Sequence, residues 1–513
     1  MEGRIFGTEC EYALFHNPSA HPADSGGRSE KLRGEARARH FKELAGLLVS
    51  ALHGEGRSVA GEFLGNGGRF YIDRGNHPEY ATPECRSVKD LVAHEKAGDR
   101  IVQGLVETAR IAMAREKVPG KLQVFKNNLD THGNTYGSHE NYLVTPRAME
   151  LIRDLIPFLL TRQIFAGAGW IADDPGPADA APECAPFRLS QRADFFDRVF
   201  SDRTSETRGI INTRKREIHL HGQNVRLHII LGDSNMSEYA LGLKVGSTAL
   251  VLKLLEEEKL QSIPGFSKPV EALKGISRDL ASVHGMEGRK AKYTALDVQC
   301  MYLERARQFF ASRASGPEEK EVLDLWEHTL VGLDKLRICN RTGAVEDDPG
   351  ELARKLDWVL KLWLLNRSRE KMGLAWSDPR LKHLDLKYHD LDAETSIFER
   401  CVSLDLVDRL VSEDEITLAQ REPPRNTRAW MRGMIIQEAA RKDMEVIVKD
   451  WEAMELLAKP MDSGPVHAFD RHRMLANSLK VGFKDPFESQ DLVLLARVCR
   501  FIDGWGEKRA ANT

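Results

Sequence analysis

The 513-residue chain has few cysteines, and their spacing indicates neither a disulfide framework nor a zinc site. There are 7 cysteines, which is an odd number, and no two of them form a CxxC pair. Small secreted proteins that depend on disulfides carry denser cysteine patterns than this. We therefore expect a protein of a reducing compartment, for which the cytoplasm fits best.

The chain also lacks a long apolar run and an excess of charge of one sign. Its most apolar stretch, residues 151–172, is interrupted by Arg153, Asp154 and Arg162, so it falls short of the ~18 apolar residues that a membrane span requires. The N-terminal residues contain no apolar segment of a signal peptide. The 74 Lys and Arg against 77 Asp and Glu give a net charge of −3, which provides no overall cation excess to bind nucleic acid. We expect neither a membrane nor a nucleic acid as partner.

Strand and helix patterns are distributed unevenly along the chain. Short alternating segments are mixed with helical patterns up to about residue 235, and helical patterns dominate afterwards. This distribution predicts an α+β fold. The proline pair at positions 423 and 424 is the clearest late break. We place a domain boundary there, which gives a main domain of residues 1–425 and a small helical domain of residues 426–513.

Two familiar nucleotide-binding motifs do not explain the sequence. No segment matches the phosphate-binding loop GxxxxGK[ST]. Residues 167–172 match the pattern GxGxxA, but this segment follows a helical pattern instead of a strand, as a dinucleotide site would require. A nucleotide site, if present, is therefore of another kind.

Acidic residues lie at strand positions where an ordinary sheet carries Ser, Thr or Lys. Glu9 and Glu11 are two residues apart on the first predicted strand, so their side chains share one face. Arg69, Tyr71 and Asp73 share a face on a later strand in the same way. Two carboxylates on one face repel each other unless water or a cation separates them. A solvated strand face remains the alternative for Glu9 and Glu11.

Two further predicted strands offer His139 and the pair Arg226 and His228. Carboxylates and histidines are ligands of magnesium or manganese, and arginine binds phosphate. The combination predicts a site for a nucleoside triphosphate with divalent metal ions. The histidines have a structural alternative as hydrogen-bonded core residues, and Arg69 has one as a cross-strand ion pair.

Several of these segments resemble the Pup ligase and Pup deamidase/depupylase family. The matching segments occur in the family's order and cover most of the chain. They are Ile5-Phe-Gly-Thr-Glu9-Cys-Glu11-Tyr, Asn66-Gly-Gly-Arg69-Phe-Tyr71-Ile-Asp73, His77-Pro-Glu79-Tyr-Ala-Thr82-Pro-Glu-Cys, Lys126-Asn-Asn, Tyr136-Gly-Ser-His139-Glu140-Asn141-Tyr, Leu189-Ser-Gln-Arg192-Ala, Ile210-Ile-Asn-Thr-Arg214, Arg226-Leu-His228-Ile-Ile-Leu-Gly-Asp233-Ser-Asn and Thr427-Arg-Ala-Trp430. The resemblance implies a glutamine-synthetase-like fold, which has a curved, largely antiparallel sheet flanked by helices.

The resemblance also implies roles for individual residues. Those expected to bind metal are Glu9, Glu11, Tyr71, Glu79, His139 and His228. Those expected to contact ATP are Arg69, Thr82, Arg226 and Trp430. Asp73 matches the family's catalytic aspartate. The implied cofactors are ATP and Mg²⁺, and the implied partners are Pup, or a Pup-like modifier, and proteins that offer a lysine.

The two activities of this family are separated by an insertion. Depupylase-type members carry a long insertion between the first helix and the strand of Arg69, whereas only about a dozen residues, 55–66, stand there in this chain. We therefore favour an ATP-dependent ligase that joins the modifier's C-terminal glutamate side chain to a lysine through a γ-glutamyl phosphate. The alternatives are a depupylase or deamidase, a ligase of small molecules and an inactive binding module.

One segment departs from the family pattern. Where the family usually continues after Arg214 with an acidic run, this chain has Lys215-Arg216-Glu217. The change of charge sign concerns substrate recognition and leaves the identity of the modifier open.

Overall fold

The computed structural model describes most of the chain. The described residues are 4–17, 30–53, 59–60, 62–73, 75–130, 133–173, 186–203, 207–213, 224–260, 263–280, 285–287, 291–313, 315–340, 350–442, 444–457, 478–483, 485–487 and 491–510. The basic departure at residues 215–217 lies outside this set, as do residues 18–29.

Strands and helices are mixed up to the end of β13, and helices dominate afterwards, as expected. The strands are β1 Phe6–Glu11, β2 Ala13–Asn17, β3 Val59–Ala60, β4 Phe63–Leu64, β5 Arg69–Ile72, β6 Pro78–Ala81, β7 Lys121–Phe125, β8 Ser138–Val144, β9 Trp170–Ile171, β10 Phe187–Arg188, β11 Arg198–Ser201, β12 Gly209–Asn212, β13 Val225–Ile229, β14 Met286–Glu287, β15 Lys292–Tyr293, β16 Glu445–Asp450, β17 Ala453–Leu457 and β18 Ser478–Gly482. The α-helices are α1 Glu30–Leu52, α2 Val88–Arg115, α3 Pro146–Glu150, α4 Ile156–Thr161, α5 Gln163–Ala166, α6 Glu238–Glu256, α7 Pro269–Arg278, α8 Ala295–Ala311, α9 Pro317–Asn340, α10 Gly350–Ala353, α11 Asp357–Met372, α12 Pro379–Lys387, α13 Ile397–Ser403, α14 Glu413–Ala419, α15 Ala429–Arg441 and α16 Leu492–Ala510.

The region that contains most of the chain's longest apolar stretch is divided into short helices. Residues 146–166 form α3, a 3₁₀ turn at Ile152–Leu155, α4 and α5. Pro157 explains one of these breaks, because proline lacks an N–H and its ring clashes with the preceding turn of a helix. It is tolerated at the start of α4, where that N–H has no partner in any case.

The chain forms two compact units, and each consists of several segments. The first contains Met1–Asn17, Ser87–Val92 and Leu122–Ser412, and the second contains Pro18–Arg86, Ala93–Lys121 and Glu413–Thr513. The predicted boundary at residue 425 divides the chain into two continuous domains, which differ from these two compact units. It stays a prediction.

In the first unit, β1 and β8 lie in a largely antiparallel sheet. The strands follow the order β11-β12-β13-β8-β1, and only β11 and β12 run parallel. Helix α6 packs against β8, and α9, α8 and α4 pack behind α6 or beside one another. The helices thus cover one face of these strands, which confirms the expected combination of a largely antiparallel sheet and flanking helices.

The second unit has an antiparallel run of short strands in the order β6-β5-β4-β3. Its C-terminal part contains the expected helices α15 and α16 and, in addition, the three-stranded antiparallel sheet β16-β17-β18. Apolar residues of α15, this sheet and α16 form one core cluster, to which β4 contributes Phe63. Buried apolar area of this kind is the main driving force for folding.

In the part of the chain that the structure describes, no helix has both the length and the apolar character that crossing a membrane requires.

Candidate active site

Glu9, His139 and His228 are brought together by the register of three neighbouring strands. Residues of β1 and β8 alternate between buried and half-buried, so Glu9 and His139 lie on the side opposite the helices. They face each other directly across the β1–β8 pair. On the next strand His228 pairs with Asn141, which is two residues from His139 on the same face.

The two carboxylate oxygens of Glu9 have different partners. Oε1 accepts hydrogen bonds from Nδ2 of Asn141 at 3.0 Å and from Nη2 of Arg226 at 2.9 Å. Oε2 lies 3.2 Å from Nδ1 of His139 and 3.8 Å from Nε2 of His228. Arg226 also donates through Nε to Oδ1 of Asn141 at 2.8 Å. One oxygen is thus bound by fixed donors, and the other faces two imidazoles.

These neighbours keep Glu9 ionised. Burial raises the pKa of the Glu9 carboxyl, but the hydrogen bond with His139 and the positive charges of Arg226, His228 and His139 lower it more, and the net pKa lies far below the ordinary value. A carboxylate that is charged over the whole physiological pH range suits binding of a cation, because no proton has to be displaced from the carboxylate itself.

Glu11 follows on the same face of β1 as Glu9 and is held by the segment before β8. Its Oε2 accepts a hydrogen bond from the backbone N–H of Gly137 at 2.6 Å. A Cβ atom on Gly137 would lie 2.6 Å from Oε1 of Glu11 and 2.9 Å from Nε2 of His139. Distances this short are not tolerated, so only glycine at position 137 allows both side chains their places.

The donor atoms of Glu9, His139 and His228 lie within 4.8 Å of one another, so they suit a divalent cation. Magnesium prefers oxygen ligands, whereas imidazole binds manganese and later transition metals more readily. The three donors therefore fit a divalent cation, and the two histidines favour Mn²⁺ over Mg²⁺ at this position.

In the second unit, the strand pair β5–β6 carries three of the predicted residues, and a fourth follows directly after β6. Tyr71 and Glu79 lie directly opposite each other, and cross-strand partners project from the same face of a sheet. Glu79 is buried. Arg69 shares the face of Tyr71, and its guanidinium carbon lies 4.3 Å from the centre of the Tyr71 ring. Thr82, one residue beyond β6, is also buried.

Arg69 already has an acidic partner. Its Nε and Nη2 donate to Oε2 of Glu62 at 2.9 and 2.5 Å, and both side chains are partly exposed to solvent. An exposed ion pair contributes little to stability, so breaking the pair of Arg69 with Glu62 costs little free energy. The sequence-based alternative of a local ion pair is thus present and is compatible with a role in binding ATP.

Asp73 lies at the end of β5 in a tight turn. Its Oδ1 accepts a hydrogen bond from the backbone N–H of His77 at 2.7 Å, and the two backbones are joined by the N–H of Asp73 and the carbonyl of His77 at 3.0 Å. Burial raises the pKa of Asp73, but hydrogen bonds and charge from His77 and the N–H of Gly75 lower it more, so the net pKa is below the ordinary value. The carboxylate is charged at neutral pH.

Trp430 lies near the start of α15, half-buried against the C-terminal core cluster. Its helix is fixed by Glu84, whose carboxylate accepts hydrogen bonds from Arg428 at 2.8 Å and from Arg432 at 2.5 Å. Arg432 also donates to the carbonyl of Gly67 at 2.8 Å. Burial raises the pKa of Glu84, but the two arginines outweigh it and set the pKa to about 2.

A buried ion pair supports β8 from behind. Glu140 alternates with His139 and Asn141, so it points to the helical side, where it accepts hydrogen bonds from Arg162 at 2.5 and 2.8 Å and from the Tyr142 hydroxyl at 2.7 Å. Breaking a buried pair of this kind is costly. The pair therefore fixes the strand that carries His139.

Sequence reasoning did not single out Asn141 and Gly137, which bond to Glu9 and Glu11 in the first unit. It also did not single out His77, which bonds to Asp73 in the second unit. Asn141 had a detectable signal, because it shares the face of His139 two residues away. The importance of Gly137 depends on the space left by Glu11 and His139, which no local pattern reveals. Among the predicted residues, Glu9, His139, His228 and Arg226 are in mutual contact through Glu9.

Comparison with known protein families gives one family over most of the chain. The Pup-ligase protein family matches residues 4–455. A Pup--protein ligase of Xylanimonas cellulosilytica is 38% identical over 467 residues, which are 89% of this chain and 94% of that protein. A Pup--protein ligase of a Nocardioides species is 38% identical over 512 residues, which are 98% of this chain and 100% of that protein.

Solved structures agree with this result. The structure of the ligase PafA in complex with the prokaryotic ubiquitin-like protein Pup has a TM-score of 0.79 and 30% identity, and the match covers 99% of this chain and 93% of that chain. The structure of the Pup ligase PafA in complex with ADP has a TM-score of 0.72 and 30% identity over 94% of this chain and 97% of that chain. On this evidence the chain belongs to the Pup-ligase family.

Proposed function

We propose that this chain is an ATP-dependent ligase that joins the C-terminal glutamate side chain of Pup, or of a Pup-like modifier, to a lysine of a target protein. The observation that carries the proposal is that the donor atoms of Glu9, His139 and His228 lie within 4.8 Å of one another, with Glu9 ionised, in a member of the Pup-ligase family. The curated relatives are ligases, and one structural relative was solved with ADP, which supports the same reading.

The first step of such a reaction activates a carboxylate. A carboxylate is a poor electrophile, so its oxygen attacks the γ-phosphorus of ATP, ADP leaves and a γ-glutamyl phosphate forms. Divalent cations, when bound, neutralise the charge on the phosphate oxygens during this transfer. We assign cation binding to Glu9, His139 and His228, together with the other predicted ligands Glu11, Tyr71 and Glu79, and take Mg²⁺ as the physiological ion.

We assign nucleotide binding to Arg69, Thr82, Arg226 and Trp430. The arginines are the groups suited to phosphate, because a guanidinium forms paired hydrogen bonds with two oxygens. Arg226 bonds to Glu9, so it ties the carboxylate that binds the cation to a side chain of opposite charge. This pairing holds Glu9 Oε1 and leaves Oε2 for the cation.

The second step requires a neutral amine. With an ordinary lysine pKa of about 10.4, roughly one amine in 2,500 is neutral at pH 7, a cost of about 4.6 kcal/mol. The lysine nitrogen attacks the acyl carbon, phosphate leaves, and the ammonium proton passes to a base. We assign that role to Asp73. Since its pKa is below the ordinary value, its main contribution is to bind and orient the ammonium before the proton is transferred.

The partners follow from the reaction. The modifier supplies a C-terminal glutamate, and the target supplies a surface lysine, so both are proteins. One structural relative is a complex of Pup with its ligase, and Pup is accordingly the first modifier to test. We place the reaction in the cytoplasm, in keeping with the sparse cysteines of the chain.

The deciding experiment compares ligation with cleavage. Wild type and Asp73→Asn are each mixed with ATP, Mg²⁺, Pup that ends in glutamate, and a lysine-bearing protein, and the products are separated by mass. We expect a covalent adduct from the wild type and a loss of about 10²- to 10⁴-fold for Asp73→Asn, the range for removing a positioned acid–base group. Cleavage of a preformed adduct without ligation would instead identify a depupylase, and turnover of free glutamate with a free amine would identify a small-molecule ligase.

A further inference from the structure

The turn that follows β5 uses the side chain of Asp73 as one of its own hydrogen-bonding groups. The N–H of Asn76 donates to the carbonyl of Asp73 at 3.1 Å, and the N–H of His77 donates to Oδ1 of Asp73 at 2.7 Å. The carboxylate therefore cannot rotate without breaking the turn. A side chain held in this manner is oriented before any substrate arrives, which is the condition for efficient catalysis.

At Gly75 and Asn76, two described residues of this turn, the backbone has little conformational freedom. Asn76 has a φ of 64°, which is the left-handed conformation that asparagine tolerates better than most residues. At Gly75 a Cβ atom would lie 2.7 Å from Cε1 of His77, 2.8 Å from its Nδ1 and 3.2 Å from Oδ1 of Asp73. The imidazole and the carboxylate thus fill the space next to Gly75.

The imidazole ring of His77 lies beside the Asp73 carboxylate, which is hydrogen-bonded to the backbone N–H of His77. Nδ1 is 3.6 Å from Oδ1 of Asp73, and the two side chains are 28% and 21% exposed. This distance is too long for a hydrogen bond. Catalytic hydrogen bonds are often long in the free enzyme and shorten in the reacting complex, so a distance of 3.6 Å is compatible with a role of the ring at the carboxylate.

We propose that Gly75 and His77 are positioning residues for Asp73, which hold its carboxylate in the orientation that receives the incoming lysine. The inference rests on the proposed function, since the role of Asp73 is proposed there. It predicts that changes at Gly75 or His77 slow the attack of lysine on the acyl phosphate. They leave formation of that acyl phosphate from ATP and the modifier's carboxylate unchanged, because that step needs no amine.

The two steps are separated experimentally with hydroxylamine. This nucleophile is neutral at pH 7, so it reacts with a γ-glutamyl phosphate without a base and forms a hydroxamate as phosphate leaves. The assay contains the full chain, ATP, Mg²⁺ and Pup that ends in glutamate, with either hydroxylamine or a lysine-bearing protein as acceptor. Hydroxamate reports the first step alone, and the covalent adduct reports both steps.

For His77→Ala we expect the kcat of ligation to fall about tenfold, as for loss of one hydrogen bond to a charged group, with the KM for ATP and the rate of hydroxamate formation unchanged. His77→Asn keeps a side-chain N–H donor and is expected to restore most of the ligation rate. Gly75→Ala is expected to cost about 100-fold in ligation, as for a small displacement of a catalytic group. Gly46→Ala on α1 is the matched control, because its Cβ meets nothing within 4 Å.

Results other than those expected would contradict either the positioning role of Gly75 and His77 or the proposed function. If His77→Ala and Gly75→Ala both ligate at the wild-type rate, the inference is wrong while the proposed function stands. If either variant loses hydroxamate formation or requires more Mg²⁺ for it, the residue serves the first step, and the positioning role is wrong. If the wild type itself forms no ATP-dependent hydroxamate and no adduct, the proposed function fails.

Discussion

Glu9 is the residue on which most of the described site geometry depends. Its carboxylate contacts groups from two other strands, Asn141 on β8 and Arg226 on β13, and faces the imidazoles of His139 and His228. An ordinary glutamate on a solvated strand face would show neither this enclosure nor so low a pKa. Perturbed ionisable groups of this kind concentrate at functional sites, and Glu9 is accordingly the first residue to change.

Glu9→Gln removes the negative charge and leaves the shape of the side chain nearly unchanged. We expect ligation to fall by about 10²-fold at a fixed metal concentration, since the loss of one charged ligand weakens binding of the cation. Titration of hydroxamate formation with Mg²⁺ and Mn²⁺ measures this, and the wild type is expected to require less Mn²⁺ than Mg²⁺ because two ligands are imidazoles.

Glu256→Gln is the control for this change. Glu256 is also a little-exposed carboxylate of the first unit that binds an arginine, with Oε2 2.6 Å from Nη2 of Arg4. It is not among the predicted site residues, so its change should lower stability without altering the metal requirement. Equal metal titrations for wild type and Glu9→Gln would contradict the assignment of Glu9.

At the scale of elements, the start of β8 and the start of α15 are each positioned by a close contact between two segments of the chain. Before β8, this contact is made by Gly137, which lies next to Glu11 and His139. At α15, the contact is made by Arg432, which bonds to Glu84 and to the carbonyl of Gly67. Both contacts join segments that are distant in sequence. They therefore determine the positions of His139 and Trp430, which the sequence identifies as candidate site residues but does not place.

Gly137→Ala tests the contact before β8. The added Cβ would lie 2.6 Å from Oε1 of Glu11 and 2.9 Å from Nε2 of His139, so one of these side chains must move. We expect the metal concentration for half-maximal hydroxamate formation to rise about tenfold or more, with little change in melting temperature. Gly504→Ala, whose Cβ meets nothing within 4 Å, should match the wild type. An unchanged metal requirement for Gly137→Ala would show that neither side chain serves the cation.

Glu84→Gln tests the contact at α15 through its effect on the free energy of unfolding. The variant removes the carboxylate partner of the buried Arg432 and leaves Arg428 with Glu452, 3.6 Å away, as its acidic partner. We expect a loss of about 3 kcal/mol in the free energy of unfolding at pH 7. The folded pKa of Glu84, about 2, lies below its ordinary value of 4.5. Its contribution is therefore present above pH 4.5 and is lost as the pH falls towards 2, over which range it amounts to about 3 kcal/mol.

Urea unfolding of wild type and Glu84→Gln between pH 7 and pH 2 measures this difference, which should shrink as the pH falls. Glu422→Gln is the control, since its ion pair with Arg425 is exposed and contributes little. A difference between wild type and Glu84→Gln that does not vary with pH would contradict the low pKa of Glu84.

At the scale of the whole molecule, binding of nucleotide should stabilise the folded chain. A ligand at 100 times its dissociation constant adds about 2.7 kcal/mol to the free energy of unfolding. Trp430→Ala is expected to abolish most of the rise in melting temperature that ADP or ATP causes, since an aromatic ring contributes a large contact area.

The control is Trp451→Ala. Trp451 packs against the same core cluster as Trp430, so both variants should lose stability without ligand. Only Trp430→Ala should lose the response to nucleotide. Equal responses in the two variants would exclude Trp430 from the nucleotide site.

The sequence alone determined which side chains are available and which of them share a face. The period of two along a strand places Glu9 and Glu11 on one side of β1, and the alternating burial of β1 confirms this prediction. The family resemblance supplied the fold class and the ligase function, and the comparisons confirm both. These features are local or are carried by motifs, so they can be predicted without coordinates.

Only the tertiary structure decided which side chains meet. Strand register places His139 opposite Glu9 and brings Arg226 to its Oε1 from 217 residues away, and the pairing of Glu84 with Arg432 spans 348 residues. No periodic pattern encodes such pairs, because register depends on the packing of whole strands and on the space that residues such as Gly137 leave open. The residue types are therefore a property of the sequence, whereas the contacts that lower the pKa of Glu9 and Glu84 are properties of the fold.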